Sequence, residues 1–394
     1  MKENIVIVSG ARTAIGSFGG SLKNLEATDL GGIAIKEALK RGQVAPEDVN
    51  EVVMGCVGQA AENAFMARVS AIKAGIPYEA TALTVNRLCS SGLQAIVTAA
   101  MEIDEGFCEI AVAGGGESMN NIPYYIRKMR TGYRMGHGEV EDGLVTALSD
   151  PITKDHMGIT AENVAERYHV SREDQDKYAL LSQQRAAKAR DEGKFKDEII
   201  PLEVKISKKE TKIFDTDEYI RDNTTLEKLA KLRPAFKKDG TVTAGNASGI
   251  NDCGAAVVLM KAEEAEKRGQ KPIVRIVEAA AAGVDPAYMG IGPVPAVRKL
   301  LKKTGLTLDD IGLFELNEAF ASQTLACIRE LGLDINKVNV NGSGISMGHP
   351  IGATGCIITI KLMNEMVRRN ERYGIATLCI GGGQGLAVLF ELCK

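Results

Sequence analysis

The chain has 394 residues, of which 45% are hydrophobic and 25% charged, and its formal net charge is −3 at pH 7. This length exceeds one domain of about 100–200 residues, so two or three packed units are expected. The composition is that of a folded protein, and the small net charge excludes an electrostatic case for nucleic acid or an anionic membrane as the main partner. We expect a cytoplasmic protein, because no secretory leader is recognisable and the apolar run at residues 378–390 is broken by four glycines and is too short to span a bilayer.

Short β-rich runs alternate with helical stretches along the chain, which is typical of an α/β protein. The predicted strands cover residues 5–8, 51–54, 83–85, 110–113, 273–277, 313–316, 337–340 and 375–380. A charge-rich segment from about residue 120 to residue 249 has only weak strand signals, near Ile199 and Ile213. Within it, Ser171-Arg-Glu-Asp174 predicts a helix start and Gly193 a helix stop. Such a long insert usually carries ligand or subunit contacts.

The same order of elements occurs twice. Cys89-Ser-Ser-Gly92 follows one strand, and a helix and then a strand ending in Gly114-Gly-Gly116 come after it. His349-Pro-Ile-Gly352 likewise follows a strand, and a helix and then a strand ending in Gly381-Gly-Gly383 come after it. This order indicates an internal duplication. If the two halves pack with pseudo-twofold symmetry, Cys89 and His349 meet at the seam; the repeat alone predicts a two-half fold and not a site.

Cysteines and histidines are scattered along the chain without the spacing of a metal site. No two of the eight cysteines lie within four positions, so a zinc knuckle and a thioredoxin-type pair are excluded. Reduced cysteines, most of them buried, are therefore expected. The sequence also contains no phosphate-binding P-loop and no dinucleotide-binding G-x-G-x-x-G after a strand, so nothing supports an ATPase or a dinucleotide oxidoreductase.

Four residues at element ends are candidates for chemistry, and each has a plainer interpretation. Cys89 opens a helix whose positive end favours the thiolate, although a cysteine that merely packs is commoner there. His349 precedes Pro350, which suits the first turn of a helix; it could accept a proton from Cys89 or only cap that helix. Cys379 lies beside glycines whose backbone N–H groups can approach a ligand, or it faces the core. Asn317 could orient a water or an oxyanion, or form a turn.

Four segments in this order resemble the thiolase family, and the resemblance runs nearly end to end. The segments are Val85-Asn-Arg-Leu-Cys-Ser-Ser-Gly-Leu-Gln-Ala95, Asn317-Glu-Ala-Phe-Ala321, Gly348-His-Pro-Ile-Gly-Ala-Thr-Gly355 and Cys379-Ile-Gly-Gly-Gly-Gln-Gly385. The resemblance implies that Cys89 is the acyl-carrying nucleophile, that His349 is its base, and that Cys379 removes a proton from the second substrate. It also implies that Asn317 holds a water at the enolate oxygen, and that backbone N–H groups of Cys89 and Gly381 hold the tetrahedral oxyanion.

The resemblance further implies an α/β, thiolase-like, duplicated five-layered αβαβα fold with a central loop domain. The expected units are residues 1–120 with 250–270, which carry the nucleophile, residues 121–249, a loop domain that binds CoA, and residues 271–394. A dimer of dimers is usual in the family, so a homotetramer is expected. Residues 59–68, near the expected subunit interface, depart from the family pattern. Residues 143–155, beside the expected acyl pocket, look a few residues longer than usual.

Residues 155–163 and 282–290 resemble the short-chain branch of the family, which acts on acetoacetyl-CoA. The implied activity is that of an acetyl-CoA C-acetyltransferase in fatty acid metabolism: Claisen condensation of two acetyl-CoA to acetoacetyl-CoA and CoA, and the reverse thiolysis, through an acetyl-cysteine. CoA thioesters are the substrates, and no metal or tightly bound cofactor is implied. The residues expected at the substrate and at CoA are Arg221, Ala244, Ala247, Ser248, His156, Met157, Met289 and Phe320.

Three alternatives stay open at this point. Ser90 and Ser91 are more typical of degradative members, which favours a 3-ketoacyl-CoA thiolase of broader chain length. A decarboxylating condensing enzyme of the same fold would pair the cysteine with two histidines, or with a histidine and an asparagine, so Cys379 argues against it. A non-catalytic acyl-CoA carrier would have lost catalytic residues that this chain keeps.

Overall fold

The computed structural model describes residues 4–205 and 210–393. The strands are β1 (Ile5–Thr13), β2 (Gly16–Ser17), β3 (Glu51–Gly55), β4 (Thr81–Val85), β5 (Ile110–Ser118), β6 (Tyr124–Tyr125), β7 (Glu141–Asp142), β8 (Ile199–Ile200), β9 (Leu202–Lys205), β10 (Thr211–Phe214), β11 (Asn251–Lys261), β12 (Val274–Gly283), β13 (Leu313–Leu316), β14 (Tyr373–Ile380) and β15 (Gln384–Leu392). The helices are α1 (Ala27–Arg41), α2 (Met66–Lys73), α3 (Ser91–Asp104), α4 (Gly143–Ala147), α5 (Met157–Arg167), α6 (Arg172–Asp191), α7 (Leu226–Ala230), α8 (Ala262–Lys267), α9 (Pro293–Thr304), α10 (Ala321–Leu331), α11 (Gly344–Met347) and α12 (Thr354–Arg369).

One 11-stranded sheet, in the order β13-β14-β15-β12-β1-β11-β5-β3-β4 with β2 beside β11 and β8 beside β1, contains the duplication. In its N-terminal half β3 runs parallel to β5, and β5 leads through antiparallel β11 to β1. In its C-terminal half β13 runs parallel to β14, and β14 leads through antiparallel β15 to β12. The halves join where Val6 and Ile7 pair with Arg275 and Val274. The internal repeat predicted from the sequence is therefore present in the strand order.

Helices α3 and α12 pack against each other between the two halves of the sheet, with α1 and α2 outside one half and α9 and α10 outside the other. This arrangement gives the five layers of the predicted αβαβα fold. The two central helices approach each other at their first turns, where each carries a glycine. A Cβ on Gly92 would lie 2.9 Å from the backbone nitrogen of Cys356, and one on Gly355 would lie 2.2 Å from that of Leu93. Because only glycine allows this approach, the loops before both helices come together, and these loops hold Cys89 and His349.

The charge-rich insert contains α6, which begins and ends where the sequence predicts. The Ser171 hydroxyl accepts a hydrogen bond from the Asp174 backbone N–H, and Gly193, two residues beyond the helix, has φ +72°. A fully buried ion cluster fastens the insert to β1, because the Arg12 guanidinium contacts Glu198 at 2.7 Å and Asp217 at 2.8 Å. The segment after Asp217 is thereby fixed beside the central sheet.

Seven of the predicted strands lie within or overlap β1, β3, β4, β5, β12, β13 and β14, although β1, β5 and β12 continue five or six residues further than predicted and β4 and β14 begin two residues earlier. The predicted strand at residues 337–340 is wrong: only Val338 forms a bridge there, with Phe314. The chain turns away because Asn339 has φ +49° and its side chain bonds to the backbone N–H and carbonyl of Leu316. The sequence pattern did not predict β11 and β15. Within the described ranges, no helix is long and apolar enough to cross a membrane.

Candidate active site

Cys89 lies in a tight turn between β4 and α3. Leu88, directly before it, has φ +46°, a backbone conformation that costs a bulky residue about 1–3 kcal/mol. The Ser91 hydroxyl holds the turn from both sides, since it accepts from the Arg87 backbone N–H at 2.9 Å and donates to the Leu88 carbonyl at 2.7 Å. The strained turn leaves Cys89 partly exposed to a cavity.

The resting Cys89 sulfur is a neutral thiol. Burial raises the pKa of Cys89 to about 11, although backbone N–H groups of Gly381 and of Cys89 itself act in the opposite direction. The backbone donors favour the thiolate as expected, but they do not decide the resting state, because the loss of hydration on burial outweighs them. Cys89 consequently needs a neighbouring base before it can act as a nucleophile.

His349 is a neutral base held at both ring nitrogens. It is 5% exposed, its Nδ1 lies 2.7 Å from the Thr354 hydroxyl, and its Nε2 lies 3.4 Å from the Asn317 amide nitrogen. Burial lowers the pKa of His349 to about 4, so the imidazole is unprotonated at neutral pH and able to accept a proton.

The predicted position of His349 at a helix cap is wrong, because α12 begins only at Thr354 and residues 351–353 form a turn. The Gly352 backbone N–H donates at 2.8 Å to the buried Glu117 carboxylate of the other half. The same carboxylate accepts from the backbone N–H groups of Val57 and Gly58, each at 2.9 Å. Glu117 thus ties the loop after His349 to the half that carries Cys89.

Cys379 lies at the buried end of β14, as the sequence predicts. Burial, with a smaller contribution from the neighbouring Cys89 thiol, raises the pKa of Cys379 well above its ordinary value. Beyond it the chain turns back at Gly382 and Gly383, whose φ values of +79° and +82° suit glycine, and this turn brings the Gly381 N–H to Cys89. Asn317 directly follows β13, and its buried side-chain oxygen has no hydrogen-bond partner.

A cavity of about 540 Å³ opens at Cys89 and His349. All eight residues expected at the substrate and at CoA line it: Arg221, Ala244, Ala247, Ser248, His156, Met157, Met289 and Phe320. Cys379 packs in the apolar cluster behind Met157, Met289 and Phe320. The structure therefore brings all the predicted site residues into or directly beside one pocket.

Several lining residues were missed from the sequence. They include Phe18, Met119, Leu148, Tyr219, Phe236 and Ile351. The Phe236 ring stacks on His156 with a centroid distance of 4.9 Å, and its edge meets Phe320 at 6.2 Å. Phe236 lies in an irregular polar stretch without periodicity, so no local pattern marks it.

A second cavity, of about 720 Å³, reaches Cys89 from another side. It shares Cys89, Leu148, Met157 and Ile351 with the first cavity. The rest of its wall comes from residues 145–152 together with Val57, Leu88 and the glycine turn after β14, and most of the area they expose is apolar. Arg127, Lys154 and Gln384 complete it. Cys89 therefore lies where the two cavities meet. In residues 4–205 and 210–393, no three metal-ligating side chains are grouped so that they could hold an ion.

Family models divide the chain into two consecutive matches. The thiolase N-terminal domain matches residues 5–263, and the thiolase C-terminal domain matches residues 270–392. The chain belongs to the thiolase family. The resemblance drawn from the four sequence motifs is thus confirmed.

Thiolase relatives match over their whole length. The beta-ketothiolase BktB of Cupriavidus necator is 52% identical over 393 residues, which cover 99% of this chain and 100% of the relative. The crystal structure of the Bacillus anthracis acetyl-CoA acetyltransferase has a TM-score of 0.97 and 49% identity, covering 100% of this chain and 99% of that one. The human mitochondrial 3-ketoacyl-CoA thiolase in complex with CoA has a TM-score of 0.96 and 47% identity, covering 99% and 98%. These matches confirm the predicted thiolase fold.

Proposed function

We propose that this protein is an acetyl-CoA C-acetyltransferase, which condenses two acetyl-CoA to acetoacetyl-CoA and CoA and also performs the reverse thiolysis. The observation that carries the proposal is the grouping of a nucleophilic thiol, a neutral imidazole and a second buried thiol at one cavity. The names of the thiolase relatives, acetyl-CoA acetyltransferase and beta-ketothiolase, support the same reaction. The substrates themselves bring the reactive thioester, so no tightly bound cofactor is required.

The first half-reaction acylates Cys89. His349 Nε2 takes the Cys89 proton, and the sulfur attacks the thioester carbonyl of acetyl-CoA. The tetrahedral oxyanion is held by the backbone N–H groups of Cys89 and Gly381, and one such donor is typically worth about 10²–10³ in rate. The C–S bond to CoA then breaks, and Cys379 protonates the departing CoA thiolate. Acetylated Cys89, an imidazolium at His349 and a thiolate at Cys379 remain.

The second half-reaction forms the carbon–carbon bond. The Cys379 thiolate takes a proton from the methyl group of a second acetyl-CoA. The enolate oxygen is stabilised by the imidazolium N–H of His349 and by a water on Asn317, whose buried amide has unused hydrogen-bonding capacity. The enolate carbon attacks the acetyl group, Cys89 leaves as a thiolate, and His349 returns its proton. Every group thereby regains its starting protonation state.

The assay follows the ultraviolet absorbance of the magnesium–acetoacetyl-CoA complex, which should fall when CoA is added to wild-type protein. Cys89→Ser should abolish covalent labelling by radioactive acetyl-CoA. Cys379→Ser should still take up the label, because CoA can leave as a thiolate that solvent protonates, but it should fail to condense, because no thiolate remains to remove the methyl proton. A stable absorbance, or a label that persists in Cys89→Ser, would refute the proposal.

A broader 3-ketoacyl-CoA thiolase is the second candidate, and the second cavity favours it. That cavity is larger than the first, is mostly apolar and reaches Cys89. Its wall includes much of the segment at residues 143–155 that looks long for the family. An acyl group longer than acetyl on Cys89 could extend into this space.

The remaining assignments are part of the same proposal. We place CoA binding in a loop domain at residues 121–249, between the half formed by residues 1–120 and 250–270 and the half formed by residues 271–394. A homotetramer is supported by exposed apolar side chains, namely Tyr124, Ile126, Met129, Met135, Val140 and Ile152, and by the open edge of β4, where Leu83 is exposed. Native mass spectrometry tests the assembly. A cytoplasmic role in fatty acid metabolism fits CoA thioester substrates.

A further inference from the structure

The buried hydroxyl of Thr354 lies behind His349, on the side away from the cavity. Its Oγ1 is 2.7 Å from His349 Nδ1 and 2.8 Å from the Pro350 carbonyl oxygen. Thr354 is 3% exposed and does not line the first cavity. It opens α12, where a threonine hydroxyl can bond back to the carbonyl four residues earlier.

These two contacts determine which ring nitrogen carries the proton. A carbonyl oxygen can only accept, so an oxygen–oxygen distance of 2.8 Å requires the Thr354 hydroxyl to donate its proton to Pro350. The hydroxyl then has only lone pairs for the imidazole, and His349 Nδ1 must be the donor. In the neutral ring this leaves Nε2 as the unprotonated nitrogen.

The far side of the ring agrees with this assignment. His349 Nε2 faces the amide nitrogen of Asn317 at 3.4 Å, and an amide nitrogen can only donate. The ring is also held through its backbone, because the His349 N–H donates to Asn251 at 3.0 Å. Nε2 is therefore the unprotonated nitrogen. Its contact with Asn317 is longer than an ordinary hydrogen bond, so its lone pair stays available to the Cys89 thiol, which lines the same cavity as His349.

We propose that Thr354 is a positioning residue that fixes His349 as the Nδ1–H tautomer, so that Nε2 is ready to accept the Cys89 proton. This inference rests on the proposed acetyl transfer through Cys89. Without the hydroxyl, Nδ1 loses its acceptor and the proton can occupy Nε2, where it blocks the transfer. The group that accepts from Nδ1 is a neutral hydroxyl and not a carboxylate. It therefore orients the ring without stabilising the imidazolium, so His349 easily returns its proton to Cys89.

The test compares Thr354→Val, Thr354→Ser and a matched control, Thr359→Val. Thr359 is buried on the same helix and makes the same kind of bond, to the Gly355 carbonyl at 2.8 Å, but contacts no histidine. The readout is the first-order rate at which acetyl-CoA labels Cys89, measured by rapid quench and mass spectrometry. Thr354→Val should lower this rate by about 10- to 100-fold, by analogy with the loss of a group that orients a metal-ligating histidine. Thr354→Ser and Thr359→Val should stay close to wild type.

A Thr354→Val variant that labels at the wild-type rate would overturn the inference, as would a Thr354→Ser variant that is as slow as Thr354→Val. A spectroscopic readout on wild-type protein does not depend on how the Thr354 variants fold. With ¹⁵N-labelled histidine, and His349→Asn to assign the signal among four histidines, His349 should show a protonated Nδ1; a protonated Nε2 would overturn the assignment. Failure of the wild-type protein to take up acetyl label would instead refute the proposed function.

Discussion

The second cavity leads to a prediction about acyl chain length. Ala147 lines this cavity and not the first one, and it is half-buried at the end of α4. In Ala147→Phe the added ring should fill space beside the acyl group on Cys89 without entering the pocket proposed for CoA. The substitution should therefore discriminate against long acyl groups and spare acetyl.

The expected magnitude follows from the methylenes that lose their site. Thiolysis of 3-oxohexanoyl-CoA leaves butanoyl on Cys89, with two methylenes more than acetyl. Burial of each methylene is worth about 0.8 kcal/mol, or about 1.6 kcal/mol for both. Since about 1.4 kcal/mol corresponds to a factor of ten, kcat/KM for 3-oxohexanoyl-CoA relative to acetoacetyl-CoA should fall by up to about 15-fold in the variant.

The assay measures initial rates of thiolysis for the two magnesium–3-oxoacyl-CoA complexes with wild type, Ala147→Phe and Ala147→Ser. Ala147→Ser is the matched control, because it keeps the side chain small and should leave the ratio unchanged. A wild-type ratio in Ala147→Phe would show that acyl chains do not enter the second cavity. An equal loss with both substrates would show that the ring disturbs Cys89 itself, and it would refute the reasoning as well.

Three further predictions concern the imidazole and the glycine turn. The folded-state pKa of His349 is lowered from 6.5 to about 4, so the unfolded chain binds a proton in this window that the folded chain does not. The wild-type free energy of unfolding should thus fall by about 3 kcal/mol more than that of His349→Asn as the pH drops from 6.5 to 4; parallel urea-unfolding curves would contradict this. Gly383→Ala should cost about 1–3 kcal/mol of stability because its φ is positive and its Cβ would lie 2.3 Å from the Val284 carbonyl oxygen. A Cβ on Gly381 would meet side-chain atoms only, Leu88 Cδ1 at 3.2 Å and Met157 Sδ at 3.5 Å, so Gly381→Ala should keep its melting temperature. The variant retains the backbone N–H, and kcat should fall by up to about 10²–10³ as the crowding moves that N–H away from the oxyanion; an unchanged kcat would contradict this displacement.

The duplicated fold was readable from the sequence because its determinants are local and repeated. Each half carries a strand, a loop with Cys89 or His349, and then a helix whose first turn contains a glycine. The same Gly92 and Gly355 that mark the repeat in the sequence let α3 and α12 approach closely. Sequence order therefore predicted that the two loops meet. It also predicted that Asn317 and Cys379 lie at the ends of strands, because a strand end is indicated by a short β-rich run and by the glycines or polar residues that follow it.

Properties that arise from contacts across the seam could not be predicted in this way. Cys89 lies just before the start of α3, a position that favours the thiolate. Burial nevertheless raises the pKa of Cys89 to about 11, and burial depends on every element packed around this residue. Pro350 suits a helix start, yet the Glu117 carboxylate from the other half takes the Gly352 N–H, and α12 begins later. Local sequence patterns indicate which structures and protonation states a segment favours by itself. Contacts with the other half determine which of them occurs in the folded protein.

The preference for acyl chain length depends most strongly on contacts between segments that are distant in the sequence. The wall of the second cavity, which Cys89 also lines, is formed largely by residues 145–152, in an insert with weak periodicity and few regular elements. Its shape depends on how that insert packs, and the Arg12 ion cluster with Glu198 and Asp217, all distant in sequence, fastens part of it to β1. The same catalytic motif can therefore lie beside acyl pockets of different length, because the chemistry at Cys89 needs only the contact between the two halves, whereas the insert limits the length of the acyl group. The reaction class and the range of acyl chain lengths are separate properties of this chain, and only the reaction class follows from its repeated halves.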